Sequence, residues 1–367
     1  MKKITVHDIC HAIEALAPLA LQESYDNSGL LIGKRTMEVS GALLTIDITE
    51  EIIQEALDKS CNMIVSHHPL VFKGLKSVTG RNAVERCVIL AIENKIAIYA
   101  AHTNLDCAKG GVSFRMAEKI GLLNTRVLQT KTDALVKLIA FVPTAYADKL
   151  RMAIFEAGGG QIGNYDCCSY STAGEGTFRA GDATKPFVGN IGKLHTEAEQ
   201  RVEIIIPAYL KAKVTKALLD NHPYEEPAFD FIALANTWSG VGYGMIGDLP
   251  EELDENAFLL KLKTIFGSQR IKHTALLGKK VRRVALCGGS GADLLSLAIA
   301  SNADVYISAD FKYHDYFLAE GKLLIADIGH FESEQYTKEI IFDQLTKKLP
   351  KFALLFSEIN TNPINYF

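Results

Sequence analysis

Several things that would point to a particular class of protein are missing from this chain of 367 residues. Its seven cysteines are scattered, only Cys167 and Cys168 are neighbours, and no C-x-x-C pair occurs. That argues against a disulfide framework and fits reduced thiols in the cytoplasm. Basic excess is missing too: 39 Lys and Arg stand against 43 Asp and Glu, for a formal net charge of −4. With no broad basic field to hold a phosphate backbone, the composition argues against nucleic acid as a partner. No apolar run reaches the ~18 residues that a membrane span needs. The opening Met1-Lys2-Lys3-Ile4-Thr5-Val6-His7-Asp8 leads into no apolar core and no small-residue cleavage site, so it reads as a start without a signal peptide. Low-complexity tracts and short-period repeats are absent as well.

What is present is an ordinary globular balance, 48% hydrophobic and 22% charged, in a length that suggests two domains. Short apolar runs alternate with helical patterns in the first third. Strands are expected at Ala42 to Ile46, Met63 to Val65 and Ile96 to Ala101. Helices are expected through Ile52, Ile53, Ala56 and Leu57, and from Ala83 to Ile92. The last third repeats the style. A strand at Val284 to Cys287 closes on Gly288-Gly289-Ser290-Gly291, a helix follows to Ala300, and strands come at Val305 to Ser308 and Leu323 to Ala326. One long helix is expected from Glu334 to Leu349, stopped by Pro350. Such alternation predicts an α/β fold with a largely parallel sheet. Between these similar segments, glycine is dense and two strand–helix pairs occur, Leu135 to Val142 with Ala147 to Ala157, and Val202 to Ile206 with Leu210 to Asp220. This predicts an inserted ferredoxin-like (α+β) domain over residues 131–244, within a core made of 1–130 and 245–367.

The unusual polar residues fall just past predicted strands. Ser66-His67-His68-Pro69 follows the second strand, His102-Thr103-Asn104-Leu105-Asp106 the third, and Asp327-Ile328-Gly329-His330 the strand ending at Ala326, with Glu334 one helical turn on. Open α/β sheets bind ligands at that edge. A lone histidine at a strand end is ordinarily a hydrogen-bonded residue, but three runs delivering imidazole and carboxylate to one edge point to a metal centre. Zinc, iron(II), manganese and cobalt suit these donors. Adjacent histidines inside a strand face opposite ways, so His67 and His68 belong where the chain turns. His330 and Glu334 share a helix face. A bridging carboxylate lets His67, His68, Asp106, His330 and Glu334 serve two cations about 3.5–4 Å apart. His102 reads as a support for the ligands, and His314 either as lining the cleft or as a surface histidine on a helix. His7, His11, His195 and His273 have no clustered partners. The run Gly288 to Gly291 lacks the lysine and spacing of a phosphate loop, so close strand–helix packing is its reading. Asp26 and Asn27 sit in a turn-forming stretch that can face the site, and Cys107 reads as structural.

At these motifs, together with Tyr25-Asp26-Asn27-Ser28-Gly29-Leu30 and Gly329-His330-Phe331-Glu332-Ser333-Glu334, the chain resembles the GTP cyclohydrolase I type 2 homolog, or NIF-three-like, family. The resemblance implies two divalent metal ions held by His67, His68, Asp106, His330 and Glu334, with Glu332 competing with Glu334 as the carboxylate. It also implies a homohexamer of two stacked trimers forming a toroid. The middle segment is similar to inserts resembling the small PII and CutA proteins, through Gly163-Asn164-Tyr165, Gly174-Glu175-Gly176-Thr177-Phe178 and His222-Pro223-Tyr224-Glu225-Glu226-Pro227. The expected activity is metal-dependent hydrolysis of a nucleotide or a related phosphate or purine compound, with His102, His314 or Glu332 moving the proton. The competing reading is a non-catalytic ligand-binding or regulatory assembly in which the metals are structural or sensed.

Overall fold

The computed structural model describes residues 3–132 and 134–367. It is α/β, and the chain divides into two compact units, Met1–Thr130 with Gly240–Phe367, and Lys131–Ser239. No described helix is long and apolar enough to cross a membrane.

The first unit holds two sheets. In one, Ala42–Thr45, Met63–Ser66 and Ala97–Ala100 run parallel, with Leu354–Phe356 parallel at one edge and Gly29–Ile32 antiparallel at the other. The three central strands are buried along their whole length, as continuous apolar runs covered on both faces should be. Helices Glu50–Asp58 and Ala83–Glu93 start at side-chain caps: Thr49 accepts from the Ile52 N–H, and Asn82 from the Glu85 N–H. Register fixes what matters most. Thr45 pairs with Ser66 and Ser66 with Ala100, so Asp47, His67, His68 and His102 all emerge at one edge.

The second sheet is mixed rather than largely parallel. Lys280–Ser290, Val305–Ala309 and Leu324–Asp327 are parallel at its centre, while Leu123–Thr130, Gly242–Asp254 and Lys272–His273 add antiparallel edges. The glycine run does not end the strand at Cys287, because Ser290 still pairs with Ala309. Ser308 pairs with Asp327, so Asp310 and His330 leave the sheet side by side. The C-terminal helix expected from Glu334 to Leu349 runs Thr337–Lys348, and a separate short helix, His330–Glu334, precedes it. Between them Gln335 donates through Nε2 to the carbonyls of Phe266, at 2.7 Å, and Glu332, at 2.9 Å, and the Tyr336 hydroxyl donates to Ile265. The bonds to Phe266 and Ile265 tie these two side chains to residues far away in sequence, which local propensity could not reveal.

The second unit is a β-α-β-β-α-β sequence: Leu135–Pro143, Ala147–Glu156, Tyr170–Arg179, Leu194–Pro207, Lys211–Asn221 and Phe229–Ala233. Its first and third strands are the central neighbours, and every pairing is antiparallel. That is the ferredoxin-like arrangement. Gly242 pairs with Thr130, so the chain rejoins the core sheet at the residue where it left.

Candidate metal centre

The loops past the two parallel sheet edges bring four imidazoles together. Ring centroids of His67 and His68 are 4.9 Å apart, His67 and His102 5.3 Å, His68 and His102 5.5 Å, and His68 and His330 5.2 Å. Each ring is anchored through Nδ1. His67 donates to the Ala101 carbonyl at 2.7 Å, and His68, His102 and His330 pair with Asp47, Asp26 and Asp310, also each at 2.7 Å. An Nδ1–H bonded to oxygen leaves the Nε2 lone pair free, which is how carboxylates and carbonyls orient metal-binding histidines. All four Nε2 atoms then point inward.

The carboxylates complete three overlapping groups: His67 with His68 and His102, His68 with His330 and Glu334, and His67 with Asp106 and Glu334. The donor atoms in each lie within 4.8 Å of one another. Glu334 Oε2 sits 2.9 Å from His68 Nε2, 3.0 Å from His330 Nε2 and 3.5 Å from His67 Nε2. Yet Glu334 Oε2, Asp106 Oδ1 and His67 Nε2 are sealed from solvent without a geometrically sound hydrogen bond among the described residues. Buried polar atoms in that condition cost about 1–3 kcal/mol each. The Nε2 atoms of His68 and His330 also face each other at 3.2 Å. Asp26, Asp47, Asp106, Asp310 and Glu334 place five carboxylates around these rings. Such a set of donors fits one or more divalent cations.

The electrostatics express the same need. Burial pulls the His67 imidazole below its usual value. Burial also acts against protonating His68 and His330, but Asp47 with Glu334, and Asp310 with Glu334, outweigh it and hold them up at about 10 and about 11. Burial and the neighbouring Glu334 charge push Asp106 well above the carboxylate range. Burial opposes ionisation of Glu334, yet the His67, His330 and His68 rings keep it well below that range. Without added positive charge, only one of the two buried carboxylates is comfortable as an anion.

Of the residues singled out in the sequence, His67, His68, Asp106, His330 and Glu334 come together, and His102 joins them with its Nε2 forward. Glu332 belongs to none of the three groups and accepts from Asn362 Nδ2 at 3.1 Å. His314 is exposed beside Tyr313 and Phe317, outside the groups. Asp26 serves the site through His102, and Asn27 instead donates to the Val71 carbonyl at 2.5 Å. The roles of Asp47 and Asp310 were not read from the sequence, although each lies just past the carboxyl end of a strand, the rule that singled out the histidines. Asp310 adopts φ +58°, a left-handed backbone that costs a non-glycine residue about 1–2 kcal/mol. Gly289 carries the packing expected of its glycine run: a Cβ there would lie 2.2 Å from Glu334 Oε1.

Removing one anchor should therefore weaken metal binding without removing a ligand. Asp47→Ala is expected to lower affinity by about 10–100-fold, read by competition with a chromophoric chelator. An unchanged affinity would show that His68 needs no such partner.

The Duf34/NIF3 (NGG1p interacting factor 3) family matches the chain over residues 4–363. Proteins called GTP cyclohydrolase 1 type 2 homolog are similar along the whole length. One from Halalkalibacterium halodurans is 36% identical, covering 100% of both chains, and one from Bacillus subtilis is 33% identical, covering 100% of this chain and 99% of the relative. The crystal structure of a Bacillus cereus protein related to NIF3 superposes with a TM-score of 0.89 at 37% identity, covering 100% of both chains.

Proposed function

This chain belongs to the Duf34/NIF3 family, and from that premise we propose that it is a hydrolase dependent on two divalent cations, acting on a nucleotide or a related phosphate or purine compound. The observation that carries the reading is the convergence of His67 Nε2, Asp106 Oδ1 and Glu334 Oε2, sealed and unpartnered among the described residues. In this reading His67, Asp106 and Glu334 would hold one cation and His68, His330 and Glu334 the other. Zinc, iron(II) and manganese all suit the donors. When bound, such a pair lowers the pKa of water toward neutrality and polarises the bond under attack.

The chain's own groups do the rest. Asp26, Asp47 and Asp310 keep three imidazoles facing forward. His68 and His330 are partly exposed, which leaves an approach that a closed structural metal site lacks. Phe72 and Tyr25 are exposed, their rings 6.3 Å apart, and Phe72 stands 6.1 Å from the His102 ring. An aromatic lip of this kind supports a planar base as part of the substrate. Among the candidates for moving a proton, His102 alone lies in the cluster, with Asp26 fixing its Nδ1. The name shared by the relatives supports a nucleotide such as GTP. Assembly as a homohexamer, with the ferredoxin-like unit serving as a PII- or CutA-type trimer former, belongs to the same proposal and is checked by light scattering.

The test is a screen of GTP, other nucleotides and phosphodiesters with zinc-, iron- or manganese-loaded protein, against His67→Ala. Turnover by the loaded wild type and none by the variant is expected. Full metal occupancy without turnover of any compound favours the non-catalytic regulatory assembly instead.

Metal uptake should depend on pH with a defined sign. In the metal-free protein His68 and His330 are held up at about 10 and about 11, so both carry a proton at neutral pH. A cation needs the neutral ring, so binding releases protons and strengthens as pH rises, by about tenfold per unit for each proton displaced. Calorimetry in buffers of different ionisation enthalpy measures that number. Identical heats in all buffers would contradict it.

A further inference from the structure

Two motifs that the metal centre does not use, Gly174-Glu175-Gly176-Thr177-Phe178 and His222-Pro223-Tyr224-Glu225-Glu226-Pro227, meet on one face of the ferredoxin-like sheet. Val202, Ile204 and Ile206 point to the helix side and pack with Leu150, Val214 and Leu218. Strand alternation therefore sends Glu199 and Arg201 to the face without helices. There lies a cavity of about 620 Å³, lined by Phe141, Phe178, Phe187, Glu199, Arg201 and Tyr224 among others. Its size suits a small organic molecule.

The hollow is a built site rather than a gap. Glu199 is only 9% exposed. The Tyr224 hydroxyl donates to its Oε1 at 2.9 Å, and Oε2 occupies space that a Cβ on Gly176 would invade, at 2.2 Å. Tyr224 is itself fixed. Its N–H donates to His222 Nδ1 at 3.1 Å, while His222 Nε2 donates to the Phe141 carbonyl at 2.9 Å. The ring of Tyr224 lies 5.9 Å from Phe178 and 6.3 Å from Phe187, making an aromatic wall. Around the lining, Glu175, Glu199, Glu225 and Glu226 outnumber Arg179 and Arg201. A buried carboxylate beside aromatic faces excludes anions and rewards a flat cation, which can stack on the rings and donate two parallel N–H bonds to one carboxylate.

We propose that this hollow binds a small planar cation of the amidinium or guanidinium class, stacked among Phe178, Phe187 and Tyr224 and paired with Glu199. The site is independent of the metal centre and of the reaction proposed for it. The test is calorimetric titration of the full-length protein with benzamidine. Saturable binding at one site per chain is expected, unchanged when the protein is first loaded with zinc. Benzamide, of the same shape without the charge, should bind about tenfold more weakly or worse, and benzoate should not bind. Glu199→Gln should weaken benzamidine by about tenfold, and Phe187→Ala, at an exposed ring, by a smaller factor. No saturation up to about 10 mM, equal binding of benzamidine and benzoate, or full affinity in both variants overturns the proposal.

Discussion

Replacing Glu334 with glutamine is expected to take bound metal from the two ions per chain of the proposed centre to one or fewer, measured by elemental analysis of protein prepared without chelator. Glu334 belongs to two of the three donor groups and lies against His67, His68 and His330. The amide keeps the size but discards the charge and half of the bridging capacity. Protein sites bind zinc with about 10–16 kcal/mol over four ligands, so one weakened ligand costs about 3 kcal/mol, roughly two orders of magnitude in affinity. The rise in melting temperature on adding zinc, which follows from binding to the folded state alone, should largely disappear. Glu332→Gln is the internal control. Glu332 is two residues away and also buried, but its partner is Asn362, so metal content should stay at the wild-type level. Equal loss in both variants, or full retention in Glu334→Gln, would sink the assignment of the bridge.

Gly289→Ala should have an effect of similar size by a different route. Gly289 has φ +62°, and an added Cβ would lie 2.2 Å from Glu334 Oε1 and 3.4 Å from His330 Cε1. Its N–H donates to Ser333 Oγ at 2.9 Å, and its carbonyl accepts from Ser308 Oγ at 3.0 Å. The backbone is thus pinned between the strand Val305–Ala309 and the helix His330–Glu334, and the carboxylate must be the part that yields. Gly267 isolates the steric effect, because it has nearly the same φ, +65°, and nothing within 4 Å of its Cβ position. Both alanine variants should lose about 1–2 kcal/mol from left-handed strain, seen in denaturant unfolding. Only the Gly289 variant should also lose metal. Equal metal content in the two would mean that Glu334 can move without consequence.

These two experiments separate what was legible in the chain from what was not. The residue types of the centre were readable, because histidine and carboxylate after a strand is a local pattern. His67, His68, His102, Asp106, His330 and Glu334 all follow it. Asp47 and Asp310 follow it too, but a single aspartate past a strand is ordinary, and its pairing with one ring nitrogen is invisible until the ring has an orientation. Spacing favours Glu334, which shares a helix face with His330 while Glu332 does not, but it is silent on what Glu332 does instead. The side chain of Asn362, thirty residues further on, engages one and not the other. Gly288 and Gly289 mislead in a similar way: glycine in sequence signals a turn, whereas here the strand continues and Gly289 admits a neighbouring carboxylate.

The sequence by itself determined the α/β alternation, the ferredoxin-like order of the middle segment and the edge at which imidazoles and carboxylates gather. Each is carried by periodicity or by position along a strand, and both are properties of short windows. Only the tertiary structure decided which lone pairs face inward, because that depends on what each Nδ1 meets across the fold. It decided as well that a separate short helix ends before Gln335 and Tyr336, whose side chains bond the carbonyls of Phe266 and Ile265. Hydrogen bonds between residues far apart in sequence leave no period to read.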